Sequence, residues 1–242
     1  MKPFAFLAAR PSHAVDIRRD EYNVVKRDGN LTDAELVYFS LEDRPTIDPS
    51  AFAGIIVSGS QYGFRTGPVD KSVEQIATEE VLFEVMETVL AHDLPFLGLC
   101  YGHQAIALAL GTRLSADYAE ELSAVSITVT DEGAADPIFS QLPPTFSAIV
   151  AHSDAIDVVP RNTVVLATSD QCPVQAIRVG RNVYGTQFHP EIDSIGVELR
   201  LNYYGGVYFA ADDIERVRAQ TTTHDYSACA ALIQGFVARY RR

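Results

Sequence analysis

The sequence predicts an α/β fold with a central, mostly parallel sheet, flanking helices and added antiparallel strands. In the first half of the 242-residue chain, short apolar runs alternate with longer helical patterns. In the second half, short strand-like runs follow one another closely and are separated by turn residues. Alternating strands and helices are typical of a parallel sheet covered on both faces, whereas closely spaced strands favour antiparallel pairing.

Four buried strands and two helices are predicted in the first half. The strands are Phe4–Ala9, Leu36–Phe39, Gly54–Val57 and Phe96–Leu99. The first helix is predicted at Lys71–His92, because its apolar residues recur at helical spacing. Its buried face is predicted to contain Ile76, Phe83, Met86 and Leu90. The second helix, Gly102–Leu110, is followed by Gly111, a residue type that favours the end of a helix.

Five short strands and a helical C-terminal part are predicted in the second half. The strands are Val125–Val129, Ser147–Ala151, Val164–Ala167, Val174–Val179 and Asn182–Phe188. Helices are expected from about Ile195 onward, and Leu232–Tyr240 has the clearest amphipathic pattern. Because no linker rich in proline, glycine or serine divides the chain, residues 1–242 are predicted to form a single domain.

Composition restricts the class of protein. The chain is 47% hydrophobic and 21% charged, as in ordinary globular proteins, and its formal net charge is −13. An acidic chain repels phosphate backbones, so no nucleic-acid partner is expected. No uninterrupted apolar run approaches the length of a membrane span, and no membrane association is expected. Three cysteines do not make a disulfide framework, which favours the reducing cytoplasm.

A cysteine at the end of a predicted strand is the candidate nucleophile. The pattern Gly98-x-Cys100-x-Gly102 follows the strand Phe96–Leu99 and precedes a helix, like a nucleophile elbow with sulfur in place of oxygen. Glycines permit the sharp turn, and the N-terminus of the following helix favours a thiolate. The backbone N–H of Tyr101 is then predicted to point toward a developing oxyanion.

His189 and Glu191 are the candidate base and its orienting acid. Both lie directly after a predicted strand. Alternate side chains of an extended segment share a face, so the two project together, and Pro190 stiffens the backbone between them. A thiol nucleophile needs such a histidine, held by a third group. Asp193 lies two residues further along the same face and is a second candidate for the acid.

A zinc site is the alternative interpretation of His189-Pro190-Glu191, which fits the H-x-E half of the zinc deaminase pattern. The other half requires C-x-x-C, which this chain lacks, so no metal is expected. Cys172 and Cys229 have no elbow around them and are predicted to be buried structural thiols.

Three segments, in this order along the chain, resemble the class I glutamine amidotransferases. Gly98–Gln104 is similar to the family's nucleophile motif, and Phe188–Glu191 is similar to its base-and-acid motif. Val57–Ser60, where a buried strand ends in small residues, resembles the glycine-rich oxyanion strand. The similarity runs from about Ile55 to Glu191, and the chain resembles stand-alone members of the family that are similar to the GMP synthase amidotransferase domain. A flavodoxin-like fold is implied.

The resemblance implies a glutaminase reaction without a metal or organic cofactor. Cys100 would attack the side-chain amide carbon of L-glutamine, and His189 would protonate the departing ammonia. The backbone N–H groups of Gly59 and Tyr101 would bind the oxyanion. The glutamyl thioester would then be hydrolysed to glutamate.

The resemblance also implies a substrate-binding region. Gln104 corresponds to the family's glutamine that helps to hold the substrate. His152-Ser153-Asp154, a second polar cluster at a strand end, is similar to the loop that borders the substrate, so Ser153 and Asp154 are candidate contacts.

Several functions stay open at this point. The chain is either an amidotransferase that passes ammonia to a separate synthase subunit, or a free-standing hydrolase of glutamine or γ-glutamyl compounds. A non-catalytic regulatory protein with the same fold is the third alternative. A cysteine enzyme related to the serine hydrolases is less compatible, because in those enzymes the acid precedes the histidine in the chain.

Overall fold

The computed structural model describes residues 2–204 and 211–241, which form α/β layers. In chain order the strands are β1 (Phe4–Ala8), β2 (Leu36–Ser40), β3 (Ile55–Val57), β4 (Phe96–Leu99), β5 (Leu114–Ser115), β6 (Glu120–Val129), β7 (Thr145–His152), β8 (Ala155–Ile156), β9 (Thr163–Thr168), β10 (Ala176–Val179) and β11 (Val183–Thr186). The α-helices are α1 (Val15–Asp28), α2 (Val73–His92), α3 (Tyr101–Ala109), α4 (Asp131–Ala134), α5 (Ser194–Tyr204), α6 (Ala211–Thr221) and α7 (Ser227–Tyr240). The predicted helical stretch also includes residues 205–210, which lie outside the described residues.

Nine strands form one sheet in the order β2-β1-β3-β4-β11-β10-β9-β6-β7. The strands from β2 to β11 pair in parallel. The strands from β11 through β10, β9 and β6 to β7 pair in antiparallel fashion. This arrangement confirms the predicted fold class, a parallel centre with antiparallel strands added at one side. Strands β5 and β8 form a separate two-stranded pair.

Helices cover both faces of the parallel strands. On one face, α1 and α7 pack on apolar residues such as Phe4 and Phe6. On the other face, α2 and α3 pack on the alternate residues Ala5 and Leu7. The parallel strands β1, β3 and β4 are therefore buried on both sides, which explains why they are continuous apolar runs in the sequence. No helix in the described part of the chain has the length and apolar composition needed to cross a membrane.

Two details of the burial prediction are wrong. Strand β2 was expected to be buried, but it is an edge strand, and its Val37 and Tyr38 are 36% and 40% exposed. Ile76 was expected on the buried face of α2, but it is 37% exposed, and the helix buries Val81, Val85 and other residues instead. Helix α2 begins after Ser72, whose side chain accepts a hydrogen bond from the N–H of Gln75.

Candidate active site

Cys100 occupies a strained turn between β4 and α3. Its φ of 47° lies in the left-handed region, which a residue with a side chain adopts only where the surrounding structure imposes it. The turn is tight, because a Cβ atom added to Gly98 would lie 2.4 Å from the carbonyl carbon of Gly102. The N–H of Cys100 donates to the carbonyl of Thr186 at 2.7 Å, which ties the turn to β11. The predicted elbow is therefore present, and both of its glycines are required by close packing.

His189 lies between the elbow and a buried carboxylate. Its Nδ1 is 2.7 Å from Oε1 of Glu191, and the two side chains are 4% and 0% exposed. Its backbone N–H donates to the carbonyl of Ile149 at 2.8 Å, which fixes the segment against β7. Burial opposes the imidazolium, but the charge of Glu191 and interactions with Cys100 outweigh it and raise the pKa of His189 to about 10.

The opposite charges of His189 and Glu191 favour the imidazolium and the carboxylate forms. Burial would raise the pKa of Glu191, but the neighbouring imidazolium of His189 and the guanidinium of Arg200 hold it below its ordinary value. The imidazolium and the carboxylate therefore stabilise each other over a broad pH range. Such a pair fixes the orientation of the ring while its other nitrogen faces the thiol.

Asp193, the second candidate for the acid, has a different role in the structure. Its Oδ1 accepts hydrogen bonds at 3.0 Å from the N–H groups of Ile195 and Gly196, at the start of α5. Its Oδ2 lies 3.3 Å from Nη1 of Arg27. Because these contacts occupy both oxygens, the geometry favours Glu191 as the partner of the histidine.

The two predicted oxyanion donors come from different elements. Gly59 follows β3, and a Cβ atom added there would lie 2.8 Å from Cε1 of His189. Tyr101 is the first residue of α3, where the N–H groups have no partner within the helix. The N–H groups of Gly59 and Tyr101 donate to no described residue. Neither N–H group is therefore engaged by another described residue, and their role as oxyanion donors stays a prediction.

The ring of Tyr101 anchors the start of α3. It stacks on Phe64 with a centroid distance of 3.9 Å and an interplanar angle of 8°. Its hydroxyl donates to Oε1 of Glu79 at 3.3 Å. These contacts fix the backbone that carries the predicted donor.

Gly59→Ala is expected to lower kcat/KM for the substrate about 10²-fold, because the added methyl group would displace the imidazole from the thiol. The glycine is required by this close approach, since the methyl position is 2.8 Å from the ring of His189. The variant is measured by steady-state kinetics together with its melting temperature.

Gly63→Ala is the matched control for this prediction. It lies in the same loop, and its added methyl group would meet Thr66 and Asp154 only at ordinary contact distances of 3.5 and 3.6 Å. We expect it to retain most of the activity. Equal losses in the two variants would mean that the loop is merely sensitive to alanine and that the contact with His189 is not responsible.

The predicted substrate-binding residues are only partly brought together. Nε2 of Gln104 donates to the main-chain carbonyl of Asp154 at 2.7 Å, so Gln104 holds the loop at the end of β7. The buried carboxylate of Asp154 pairs with Nη1 of Arg65 at 3.2 Å. Ser153 is exposed, and its side chain makes no hydrogen bond to any residue that the structure describes.

Comparison with known proteins gives the family. The family model named glutamine amidotransferase class-I matches residues 21–196, which is more than half of the chain. This chain belongs to the class-I glutamine amidotransferases. The matched region contains Cys100, His189 and Glu191, and membership favours an enzyme over the non-catalytic alternative.

Relatives of this amidotransferase chain include proteins named as one of the subunits of glutamine-hydrolysing GMP synthase. The protein of Methanococcoides burtonii is 33% identical over 168 residues, which are 68% of this chain and 77% of the relative. The protein of Pyrococcus abyssi is 34% identical over 153 residues, which are 63% of this chain and 71% of the relative.

Solved structures support the fold of this class-I amidotransferase. A glutamine amidotransferase from Thermotoga maritima aligns with a TM-score of 0.75 and 16% identity, covering 99% of this chain and 98% of that one. A glutamine amidotransferase from Methylobacillus flagellatus aligns with a TM-score of 0.74 and 14% identity, covering 100% of this chain and 94% of that one.

The amidotransferase chain has a second buried cluster of glutamate, histidine and cysteine. Potential ligand atoms of Glu120, His152 and Cys172 all lie within 4.8 Å of one another. However, Nε2 of His152 is 2.8 Å from Oε2 of Glu120, as in a hydrogen bond. A tetrahedral zinc with bonds of about 2.1 Å separates its ligand atoms by more than 3 Å, so this direct contact does not fit a metal.

This second cluster holds the loop at the end of β7, which was predicted to border the substrate. Nδ1 of His152 lies 3.1 Å from the carbonyl of Asp154, the same oxygen that accepts from Gln104. Nε2 of Gln175 donates to Glu120 at 2.6 Å. Burial raises the pKa of Cys172 to about 12, so that thiol stays protonated near neutral pH and is a poor nucleophile.

Gln187 is a site residue that the sequence analysis did not assign. Its Nε2 lies 3.5 Å from Sγ of Cys100, and its Oε1 accepts from Nε2 of Gln104 at 3.4 Å. It precedes His189 by two residues, so period-two alternation along the strand was the signal that could have identified it.

Proposed function

We propose that this chain hydrolyses the side-chain amide of L-glutamine to glutamate and ammonia. In this proposal Cys100 is the nucleophile, His189 the general acid and base, and Glu191 the acid that orients the imidazole. The observation that carries the proposal is the buried 2.7 Å contact of Glu191 with a histidine that also interacts with the thiol of a strained elbow.

The first half of the reaction forms a thioester. The thiolate of Cys100 adds to the amide carbon of glutamine, and the carbonyl oxygen becomes an oxyanion that accepts from the N–H groups of Gly59 and Tyr101. The imidazolium of His189 donates its proton to the amide nitrogen. The C–N bond then breaks, ammonia departs, and a γ-glutamyl thioester remains on Cys100.

The second half of the reaction consumes water. His189, now neutral, removes a proton from a water molecule that adds to the thioester carbon. The same N–H groups stabilise the second oxyanion. The C–S bond breaks, glutamate is released, and the thiolate and imidazolium are restored. Glu191 stays ionised throughout, which agrees with the lowered pKa of its buried carboxyl.

The α-amino acid end of the substrate is proposed to bind next to Asp154. The side-chain carboxylate of Asp154 is buried, yet it pairs with Arg65, whose side chain is 49% exposed. The Arg65–Asp154 pair therefore connects the buried loop to the protein surface. Gln104 and Gln187 form a polar connection from this loop to Cys100. We also assign Ser153 to this region, as the family resemblance implies.

We further propose that a separate synthase subunit receives the ammonia. The two relatives from Methanococcoides burtonii and Pyrococcus abyssi are each named as one of the subunits of GMP synthase, which supports a role as one component of such an enzyme. Cys100 is only 5% exposed and His189 only 3% exposed. We infer that docking of the synthase subunit opens this buried site. The cytoplasm, with its glutamine supply, is the expected location.

The test is release of ammonia and glutamate from L-glutamine by the purified chain, with γ-glutamyl-p-nitroanilide as a second substrate. Stoichiometric ammonia and glutamate support the proposal. Cleavage of the anilide without cleavage of glutamine would instead indicate a γ-glutamyl hydrolase or peptidase. If glutamine is untouched both by the chain alone and by the chain mixed with a synthase subunit, the proposed function is wrong.

A further inference from the structure

A buried guanidinium packs against the back of the candidate site. Arg10 follows β1, and its side chain is 5% exposed. Its Nε and Nη2 donate to Oε1 of Glu21 on α1 at 2.9 and 2.7 Å. Arg200 on α5 donates to the same oxygen at 2.8 Å. The cluster thus contains two buried guanidinium groups and one carboxylate that bridges them.

The guanidinium of Arg10 also contacts the turn that carries the predicted oxyanion donor. The point where Gly59 would carry a Cβ atom lies 3.4 Å from Nη2 of Arg10 and 2.8 Å from Cε1 of His189. A gap the size of one methyl group therefore separates the guanidinium from the imidazole. No side chain other than hydrogen at position 59 permits this approach.

Hydrogen bonds connect Arg10 and the preceding residue, Ala9, to both sides of the turn at Gly59. Nη1 of Arg10 donates to the hydroxyl of Tyr204, which in turn donates to Oε1 of Gln61 at 2.9 Å. The N–H of Ala9 donates to Oγ of Ser58, and Oγ of Ser60 donates to the carbonyl of Ala9. The segment around Gly59 is thereby held from both ends by the end of β1.

The charges of this cluster complement the carboxylate behind the histidine. Arg10 and Arg200 share Glu21, Nη1 of Arg200 also lies 3.7 Å from Oδ2 of Asp20, and both guanidinium groups interact electrostatically with the buried Glu191. The guanidinium of Arg200 contributes to holding the pKa of Glu191 down, and the charge of Glu191 contributes to the raised pKa of Arg10. Electrostatic coupling between the cluster and the active-site acid is therefore mutual.

We propose that Arg10 is a positioning residue of the active site, which holds the Gly59 turn against His189 and balances the charge of Glu191. The inference rests on the proposed function for its meaning in catalysis. It does not depend on glutamine turnover for its test, because the reactivity of Cys100 reports on the same arrangement.

The groups that face this cluster determine the expected pH dependence. Asp20 and Glu21 face it from α1, Arg200 and Tyr204 from α5, and Asp193 from the start of α5. His189 and Glu191 face it from the site itself. Burial raises the pKa of Asp20 to about 6, so the charge of this acid beside Arg200 changes within the pH range of the experiment. Because several groups titrate near Arg10, its effect is measured as the difference in the pH dependence of Cys100 reactivity between variants and the wild type.

The experiment measures the rate of alkylation of Cys100 by iodoacetamide from pH 5 to 10, followed by mass spectrometry of the Cys100 peptide. Glu191 interacts electrostatically with Arg10, and removal of a nearby cation makes the anionic groups of the site bind protons more readily. In Arg10→Met and Arg10→Gln the low-pH limb of the curve of alkylation rate against pH is expected to move to higher pH by about one pH unit. Arg10→Gln keeps an amide donor toward Glu21 and guards against a folding defect of the methionine variant.

Arg10→Lys and Arg18→Met complete the design. Lysine keeps the charge, so its acidic limb is expected close to that of the wild type, while kcat falls about 10-fold because the bonds to Glu21 and Tyr204 are not both kept. Arg18 lies on α1, as Glu21 does. It is 9% exposed and donates to the hydroxyl of Tyr38 on the edge strand β2. Its removal is expected to lower the melting temperature without moving the profile.

Either result is decisive for Arg10. An upward shift in the two neutral variants, absent from Arg10→Lys and Arg18→Met, supports the proposal even if the chain releases no ammonia. An unshifted profile in the neutral variants, with a loss of stability like that of Arg18→Met, overturns it and leaves Arg10 a structural residue.

Discussion

Cys100→Ser is expected to lower the rate of ammonia release from glutamine by about 10⁴-fold. The hydroxyl would occupy the same place on the elbow, where φ is 47°. It is a much weaker nucleophile, however, and His189 is set up to pair with a thiolate rather than to deprotonate an alcohol. Because neither the glycines nor the His189–Glu191 pair changes, the melting temperature is expected to stay near that of the wild type.

Cys172→Ser provides the matched control. It makes the same chemical change at a buried thiol of the second cluster, beside Glu120 and His152. Its raised pKa makes that thiol unreactive, so full or nearly full turnover is expected, with a small loss of stability from burying a hydroxyl. Inactive Cys172→Ser together with active Cys100→Ser would transfer the nucleophile to the second cluster.

The strands that position the elbow could be predicted from the sequence because they are buried on both faces. Strands β1, β3 and β4 are continuous apolar runs, and that pattern does not depend on which strands are neighbours. The order of strands in the sheet is not encoded in this way. Strand β2 has the same apolar appearance, but its place at the sheet edge leaves Val37 and Tyr38 partly exposed.

Helix α1 was not predicted, and its composition gives the reason. Eight of its 14 residues are charged, which hides the apolar stripe formed by Ile17, Val24 and Val25. Two of the charged residues, Arg18 and Glu21, are buried because their partners come from β2, from the end of β1 and from α5. Such distant partners are invisible in local sequence patterns.

The same distinction applies within the candidate site. Cys100, His189 and Glu191 were predicted as candidates from local spacing, since an elbow and an alternating strand end are short-range features. Arg10 was not identified, because its role depends on Glu21, Tyr204 and Gly59, which only the fold brings to it. A charged residue that follows a strand is usually solvated, and nothing nearby in the sequence distinguishes this one.

His189→Asn is expected to lower turnover about 10³-fold or more, because the variant has no group to protonate the leaving ammonia or to activate water. It should also destabilise the fold. Glu191 is completely buried, and its Oε2 makes no hydrogen bond within the described residues. Removing its main counter-charge leaves a poorly compensated carboxylate, with an expected cost of about 3 kcal/mol near neutral pH.

The pH dependence of this loss identifies its cause. In the wild type the lowered pKa of Glu191 stabilises the fold above about pH 4.5, and this contribution is lost as pH falls further. The raised pKa of His189 stabilises the fold fully below about pH 6.5, and this contribution is lost progressively as pH rises from there to about 10. The contribution of the pair is therefore nearly constant only between about pH 4.5 and 6.5, and it falls from there toward pH 10 although the pair is still charged in the folded state.

In His189→Asn the effect of burial on the pKa of Glu191 is no longer offset by the imidazolium. With the imidazolium absent, burial moves the pKa of Glu191 upward, so the variant should lose stability as pH rises from 4.5 toward neutral. His189→Asn/Glu191→Gln has no carboxylate to bury, so it should not show this loss as pH rises from 4.5 toward neutral. Melting temperatures of the three proteins between pH 4.5 and 8 test this directly. Parallel curves for the two variants would mean that the destabilisation arises from packing around residue 189 and not from an unpaired charge on Glu191.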